Sequence, residues 1–170
     1  MNTAIINSDS YEKHDTGDGH PEQPKRVIAI KEKLKKRNDL IWETPVSVPD
    51  DILAMTHSKE YIENLNNSFP QKGLKFLDGD TVVSPESKKA VFDAAGSTIK
   101  AIDGIENNQF KNAFCLARPP GHHAEKNKAM GFCCISNAGV AMNYLINKYN
   151  YKKIACVDFD VHWGNGNYDV

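Results

Sequence analysis

One stretch, from Ile154 to Gly166, constrains the fold more than any other: Ile-Ala-Cys-Val-Asp-Phe-Asp-Val-His-Trp-Gly-Asn-Gly. An unbroken apolar run, Ile154 to Val157, leads straight into Asp158, Asp160 and His162. A run of this kind is expected to form a strand buried on both faces. In an open α/β sheet, ligands bind outside the carboxyl ends of the strands. If the strand continues past Asp158, its period of two sends Asp158, Asp160 and His162 to one side. Two carboxylates and an imidazole meeting at one point suit a divalent metal such as zinc, which accepts both nitrogen and oxygen ligands. An isolated Asp-x-Asp-x-His also has a plainer reading, with Asp158 capping a helix and His162 in a surface loop.

A second stretch answers the first. Residues 117 to 134, Ala-Arg-Pro-Pro-Gly-His-His-Ala-Glu-Lys-Asn-Lys-Ala-Met-Gly-Phe-Cys-Cys, follow a short strand-like run, Ala113 to Leu116. The pair His122 and His123 therefore also lies just past a strand end. Imidazoles exchange a proton near neutral pH and are the usual general acids and bases. Beside a metal, one of the pair can take a proton from water while the other stays charged or orients it. Together the two strand-end clusters make a site.

With 170 residues the chain has the length of one ordinary domain. Its 21 lysines and arginines nearly cancel its 22 aspartates and glutamates, so bulk charge draws it to no nucleic acid. No run approaches the roughly 18 apolar residues of a membrane span, and the apolar patch after Met1 is too short for a signal sequence. A soluble, cytoplasmic protein with no membrane partner is expected. Cys115, Cys133, Cys134 and Cys156 all sit in or beside apolar segments, as reduced, buried thiols do. A structural zinc held by Cys133, Cys134 and the histidine pair is another metal reading, although adjacent cysteines depart from the usual chelating spacing.

The remaining pattern supplies the scaffold. Thr3 to Asn7 reads as a strand, and Tyr11 to Pro24 as loop. Pro24 opens a helix with Val27, Ile30 and Leu34 on one face. Asp50 to Leu65 reads as two short helical pieces joined near His57, the second capped by Ser58. Asn66 to Asp80 shows no periodicity and is expected to be a long irregular loop. Pro85 restarts a helix whose buried stripe is Val91, Ala94, Ala95, Thr98 and Ile102. A further helix, about Asn137 to Tyr149, returns the chain to the Ile154 strand. Strand, loop, helix and strand form a βαβ unit, which favours an α/β fold with a parallel sheet between helices.

The sequences Arg-Pro-Pro-Gly-His-His-Ala, Met-Gly-Phe-Cys and Asp-Phe-Asp-Val-His-x-Gly-Asn-Gly, in that order, resemble the histone deacetylase superfamily. That superfamily includes bacterial acetylpolyamine amidohydrolases and acetoin-utilisation-type proteins. Gly17 to Arg26, Gly-Asp-Gly-His-Pro-Glu-Gln-Pro-Lys-Arg, resembles its opening signature, and Asp80-Thr81 with Ser84 to Ser87 falls where its rim loop and next helix lie. The resemblance covers nearly the whole chain, residues 1–170, as the N-terminal part of a single deacetylase-like domain.

What the resemblance implies is specific. The fold is an arginase- and deacetylase-like three-layer α/β sandwich around a parallel sheet, here truncated. Asp160 and His162 match two of three protein ligands of the catalytic metal, Zn2+ or Fe2+. The third ligand and the group that steadies the oxyanion lie downstream in the family and are not matched here. His122 and His123 match the tandem histidines, Asp158 a carboxylate bonded to the first of them, and Asn165 the support of the second. Phe132 matches a wall of the channel that holds the acylated side chain, the Gly131 carbonyl an acceptor for the scissile amide, and Asp80 an acidic rim position. Trp163 departs from the pattern, since many members carry a second histidine there.

The implied reaction is deacetylation of an N-acetylated amine, such as acetyl-lysine or an acetylpolyamine. Metal-activated water attacks the acetyl carbonyl with a histidine as general base. With two ligands, the 170 residues alone are expected to be a poor hydrolase, and a sheet cut after this strand is expected to favour homo-oligomers. The competing expectation is a non-catalytic module or inactive fragment that binds an acylated ligand without turning it over.

Overall fold

The computed structural model describes residues 2–170. Strand β1 (Thr3–Ile6) is the centre of a three-stranded parallel sheet in the order β2-β1-β5, with β2 at Leu40–Glu43 and β5 at Asn112–Cys115. Strand alternation divides its side chains between two cores. Ile5 packs with Tyr11, Val27, Ala90, Ala94 and Leu116, whereas Ala4 and Ile6 pack with Ala101 and Phe110. Between β1 and β2 run helices α1 (Ser10–Lys13) and α2 (Lys25–Leu34). Of the apolar face expected of α2, Val27 is buried and Ile30 is exposed.

Helices α3 (Asp50–Leu53) and α4 (Lys59–Asn66) are the two pieces expected around His57. Ser58 caps α4 by accepting a hydrogen bond from the Tyr61 amide at 3.2 Å. The segment expected to be irregular up to Asp80 contains strand β3 (Lys75–Phe76), which pairs antiparallel with β4 (Val82–Val83) just beyond it. Two residues per strand leave too short an alternation to read from sequence. Helix α5 (Ser87–Glu106) is the longest described element, at 20 residues. It buries Val91, Ala95, Ile99 and Ile102 in the largest core, against Leu53, Ile62, Leu65 and, from helix α6 (Asn137–Tyr149), Val140 and Tyr144. The result is an α/β fold, a parallel sheet flanked by helices.

One expectation is corrected. The apolar run from Ile154 forms no strand: Val157, Phe159 and Val161 are 83, 96 and 92% exposed. A strand buried on both faces needs backbone partners on its edges and helices over its faces. No described strand lies beside this segment. Cys156 shares its exposure, so of the four thiols only Cys133 and Cys134 are fully buried. A short helix, α7 (Asn165–Asp169), follows this segment.

Three histidine and arginine side chains are buried in the scaffold. Arg118, 1% exposed, donates from Nε and Nη2 to the two carboxylate oxygens of buried Glu22 at 2.7 and 2.8 Å, and from Nη1 to the carbonyls of Tyr11 and His14 at 2.6 Å each. Burial, followed by the charge of Arg118, pushes the His14 imidazole down to about 3. Glu22 lies 3.6 Å from His14 but does not reverse this, because Arg118 already occupies both its oxygens. His57 is pushed down by burial too, although backbone carbonyls oppose the shift. Its Nδ1–H donates to the Glu125 carbonyl and its Nε2 accepts from the Ser136 amide, each at 3.0 Å.

Both histidines are therefore neutral in the folded chain and protonate below about pH 6.5 once unfolded. Below that pH the unfolded state binds more protons, so stability falls with pH, by up to about 1.4 kcal/mol per pH unit for each histidine. The contribution is complete above the unfolded value and, for His14, keeps declining toward its folded value. Urea unfolding at pH 7.5, 6 and 5 is expected to show a steadily falling midpoint, and a midpoint that does not move over that range contradicts the assignment of two neutral buried histidines.

Candidate active site

The loop that leaves β5 begins at Arg118 and reaches His122 and His123, whose rings are 4.0 Å apart. Each ring is oriented from behind. The Nδ1–H of His122 donates to Asp158 Oδ2 at 3.0 Å, and that of His123 donates to Asn165 Oδ1 at 2.6 Å. The Asn165 amide is itself oriented, since its Nδ2 donates to Glu125 Oε1 at 2.7 Å. With both Nδ1 atoms carrying protons, both Nε2 atoms offer lone pairs. Helix α7 approaches closely enough to place Asn165 only because residue 166 is glycine: a Cβ there would lie 2.3 Å from the Ala124 carbonyl oxygen.

Asp158, Asp160 and His162 do fall on one side of their segment, but not through the pleat of a strand. Asp158 Oδ1 accepts from the Asp160 amide at 3.1 Å, and Asp160 Oδ1 accepts from the His162 amide at 2.8 Å. These successive side-chain-to-backbone turns, each spanning two residues, are a habit of Asp. They bring Asp160 Oδ1 to 3.0 Å from His162 Nδ1 and 4.0 Å from His122 Nε2. Partial burial pushes the Asp158 carboxyl up, but the Asp160 amide, His122 and Asn167 outweigh it and hold it below the usual carboxylate range. Asp160 is held low chiefly by the His162 backbone amide and then by the His162 ring. Both carboxylates are thus charged at neutral pH.

A cavity of about 380 Å³ connects these groups to the opposite wall, where Asp80, Gly131 and Phe132 line it together with His122, His123, Asp160 and His162. Met130 and Cys133 exchange two backbone hydrogen bonds around Gly131 and Phe132, which have φ of +56° and +70°. Gly131 packs against His123: a Cβ on it would lie 2.5 Å from His123 Cδ2. Phe132 is a bulky residue in the left-handed region, a strained state of the kind that costs on the order of 1–3 kcal/mol and gathers at functional sites.

All nine candidate residues lie in or directly behind this cavity. Sequence reasoning missed several of their neighbours. His20 packs its ring edge-on to Phe132 at 4.8 Å, and its Nε2–H donates to the Asp80 carbonyl at 3.1 Å. Glu22 and Arg26 line the cavity as well, and Thr81 supports Phe132 from behind. The signal in the sequence for His20, Glu22 and Arg26 was the resemblance of Gly17 to Arg26 to an opening signature. Trp163 does not enter this cavity; it is 72% exposed, with its ring 5.9 Å from that of Tyr168.

The donor set fits a divalent ion in part. An Asp oxygen and a His nitrogen 3.0 Å apart can both reach an ion at zinc–ligand lengths of about 2.0–2.2 Å. Among the described residues, no group of three or more His, Cys, Asp or Glu side chains is arranged to hold a metal. No Cys-based cluster is present among them either, and no helix is long and apolar enough to cross a membrane.

Fold and site together define an α/β protein in which a histidine pair, two aspartates and a third histidine converge beside one cavity. The family model for the histone deacetylase domain matches residues 20–170, and the chain belongs to that family. An uncharacterized protein of Synechocystis, slr0245, is 40% identical over 96% of this chain and 55% of its own length. Histone deacetylase 5 of Arabidopsis thaliana is 35% identical over 95% of this chain and 27% of its own. Among solved structures, the HDA15 HD domain superimposes with a TM-score of 0.91 at 31% identity, over 98% of this chain and 49% of that one. The chain thus spans about half, or less, of the proteins it matches.

Proposed function

We propose that this chain is the part of a zinc-dependent amidohydrolase that carries its general base and two of its metal ligands, acting on N-acetylated amines such as acetyl-lysine or acetylpolyamines. The observation that carries the reading is the orientation of the histidine pair. Both rings have their Nδ1 protons committed behind them, to Asp158 and Asn165, and line one cavity with Asp160 and His162. Family membership supports deacetylase chemistry.

Asp160 and His162 would hold the metal, which when bound supplies Lewis acidity toward a carbonyl and toward water. The rest falls to this chain's own side chains. Asn165 presents a neutral carbonyl to His123, whose Nε2 is free to accept a proton from the attacking water. As the water oxygen bonds to the acetyl carbon, that proton rests on His123. When the carbon–nitrogen bond breaks, a proton passes to the departing amine, leaving acetate and a free amine. Asp158 holds the Nδ1–H of His122 from behind, which fixes that ring in place to orient the reacting groups. Phe132, with His20 against it, walls the apolar stem of the substrate, while Gly131 offers its carbonyl to the amide and Asp80 an acidic rim.

One observation favours a second reading for the 170 residues taken alone, as a module that binds without turnover: the described residues bring together only two metal ligands. The compartment we propose is the cytoplasm, and self-association is proposed from the exposed apolar segment around Phe159.

Two substitutions separate the roles. In the metal-loaded deacetylase that contains this chain, His123→Ala is expected to lower acetyl-lysine peptide hydrolysis by about 10²- to 10⁴-fold with zinc content unchanged. Asp160→Ala is expected to weaken zinc binding by more than the roughly 10- to 100-fold typical of a lost outer-shell partner. Rate and metal content measured on the same preparations decide it: zinc lost from the first variant, or retained at wild-type affinity by the second, means the roles are misassigned.

A further inference from the structure

The strained turn at Gly131 and Phe132 is held by a residue to which nothing so far gives a functional role. The two-residue connection between Met130 and Cys133 has φ above zero at both central positions, the pattern of a type I′ turn. That turn favours glycine in its second central position, and here the position is Phe132. The Phe132 amide takes no part in the Met130–Cys133 pairing and donates instead to Thr81 Oγ1 at 3.0 Å.

Thr81 is completely buried and fixed on both sides of its own peptide. Its amide donates to Asp78 Oδ1 at 2.6 Å, and its carbonyl accepts from the Leu77 amide at 2.8 Å. Its neighbour Asp80 offers a carbonyl to His20 Nε2–H, and the His20 ring closes back onto the Phe132 ring. Phe132, Thr81, Asp80 and His20 therefore form a closed circuit around one side of the cavity, and the Thr81 hydroxyl is the link that reaches the strained backbone.

We infer that Thr81 is a positioning residue that sets where the Phe132 ring stands, and through it the width of the channel for the substrate stem. The role in substrate selection rests on the amidohydrolase reading; the positioning itself does not. An apolar side chain of the same shape fits the buried site but cannot accept the hydrogen bond, so the turn loses its anchor and Phe132 becomes free to leave the left-handed region. The effect should fall on substrates whose stems fill the channel. It should spare the bond-breaking step, because His123 keeps its own support from Asn165.

Thr81→Val removes the acceptor and keeps the shape, whereas Thr81→Ser keeps the acceptor. Hydrogen exchange and ring-to-ring proton contacts are read by NMR on the 170-residue chain. In Thr81→Val the Phe132 amide is expected to exchange about tenfold faster, as for loss of one buried hydrogen bond, and to lose its contact with His20 while α5 amides stay protected. In the metal-loaded deacetylase, the same variant is expected to raise KM for an acetyl-lysine peptide by about three- to tenfold with kcat nearly unchanged, and to leave hydrolysis of N-acetylmethylamine unaltered. Thr81→Ser is expected to restore both readouts. If Thr81→Val also unprotects α5, it has unfolded, and Thr81→Ala takes its place in both assays. Unchanged exchange and ring contact, failure of Thr81→Ser to rescue, or a fall in kcat alone overturns the inference. If the wild-type deacetylase hydrolyses neither substrate, the amidohydrolase reading fails while the exchange and ring contacts still decide the position of Phe132.

Discussion

The ion pair between Arg118 and Glu22 is the interaction on which the rest of the site depends. It joins two loops 96 residues apart in sequence, and both side chains are 1% exposed. One loop carries His20 to the cavity wall, and the other carries His122 and His123. A buried charge is tolerated only when paired and fully hydrogen-bonded, and removing one partner leaves the other stranded at high cost. Arg118 meets that condition through the Glu22 carboxylate and two backbone carbonyls. The pair is also placed where position matters, with Arg118 three residues past the end of β5 and four before His122. His14 and His57 repeat the theme in neutral form, tying the same loops to the start of α5 and to the Ser136 cap of α6.

Much of this was legible in the sequence because short-range rules governed it. Ser58 capping α4, the α6 boundaries and the βα order follow from side chains that act within a turn or two of their own position. The chemistry at strand ends was legible for a similar reason: Asp158, Asp160 and His162 are separated by two residues each, and either a pleat or Asp-centred turns sends them to one side. The turns are what the chain uses. Partners distant in sequence were not legible. Nothing local to Thr81 or Glu22 announces that one will hold the Phe132 amide and the other Arg118. The β3–β4 hairpin was hidden because two residues show no alternation.

The apolar segment from Ile154 to Val161 marks the other boundary of sequence reasoning. Its composition is that of a buried strand, yet the described residues leave Phe159 almost wholly exposed. Periodicity states what environment a segment requires; it does not supply the neighbours. The chain spans about half of the HDA15 HD domain while superimposing closely on that half, and among the described residues this segment pairs with no strand. Asp158 and Asp160 sit on this segment. The carboxylate behind His122 and one of the two proposed metal ligands are therefore on the least supported part of the site, whereas the histidine pair and the Phe132 wall are on its best supported part.

A double-mutant cycle on Arg118 and Glu22 tests this hierarchy most directly, using urea unfolding of Glu22→Gln, Arg118→Met and the combined variant at pH 7.5. Each single change should strand a buried partner and lower stability by about 3–5 kcal/mol. The combined change should cost less than their sum by at least about 1 kcal/mol, since it removes both charges together. Single variants within about 0.5 kcal/mol of wild type, with additive effects, would show that the two loops are held by other contacts and that the ion pair does not organise the site.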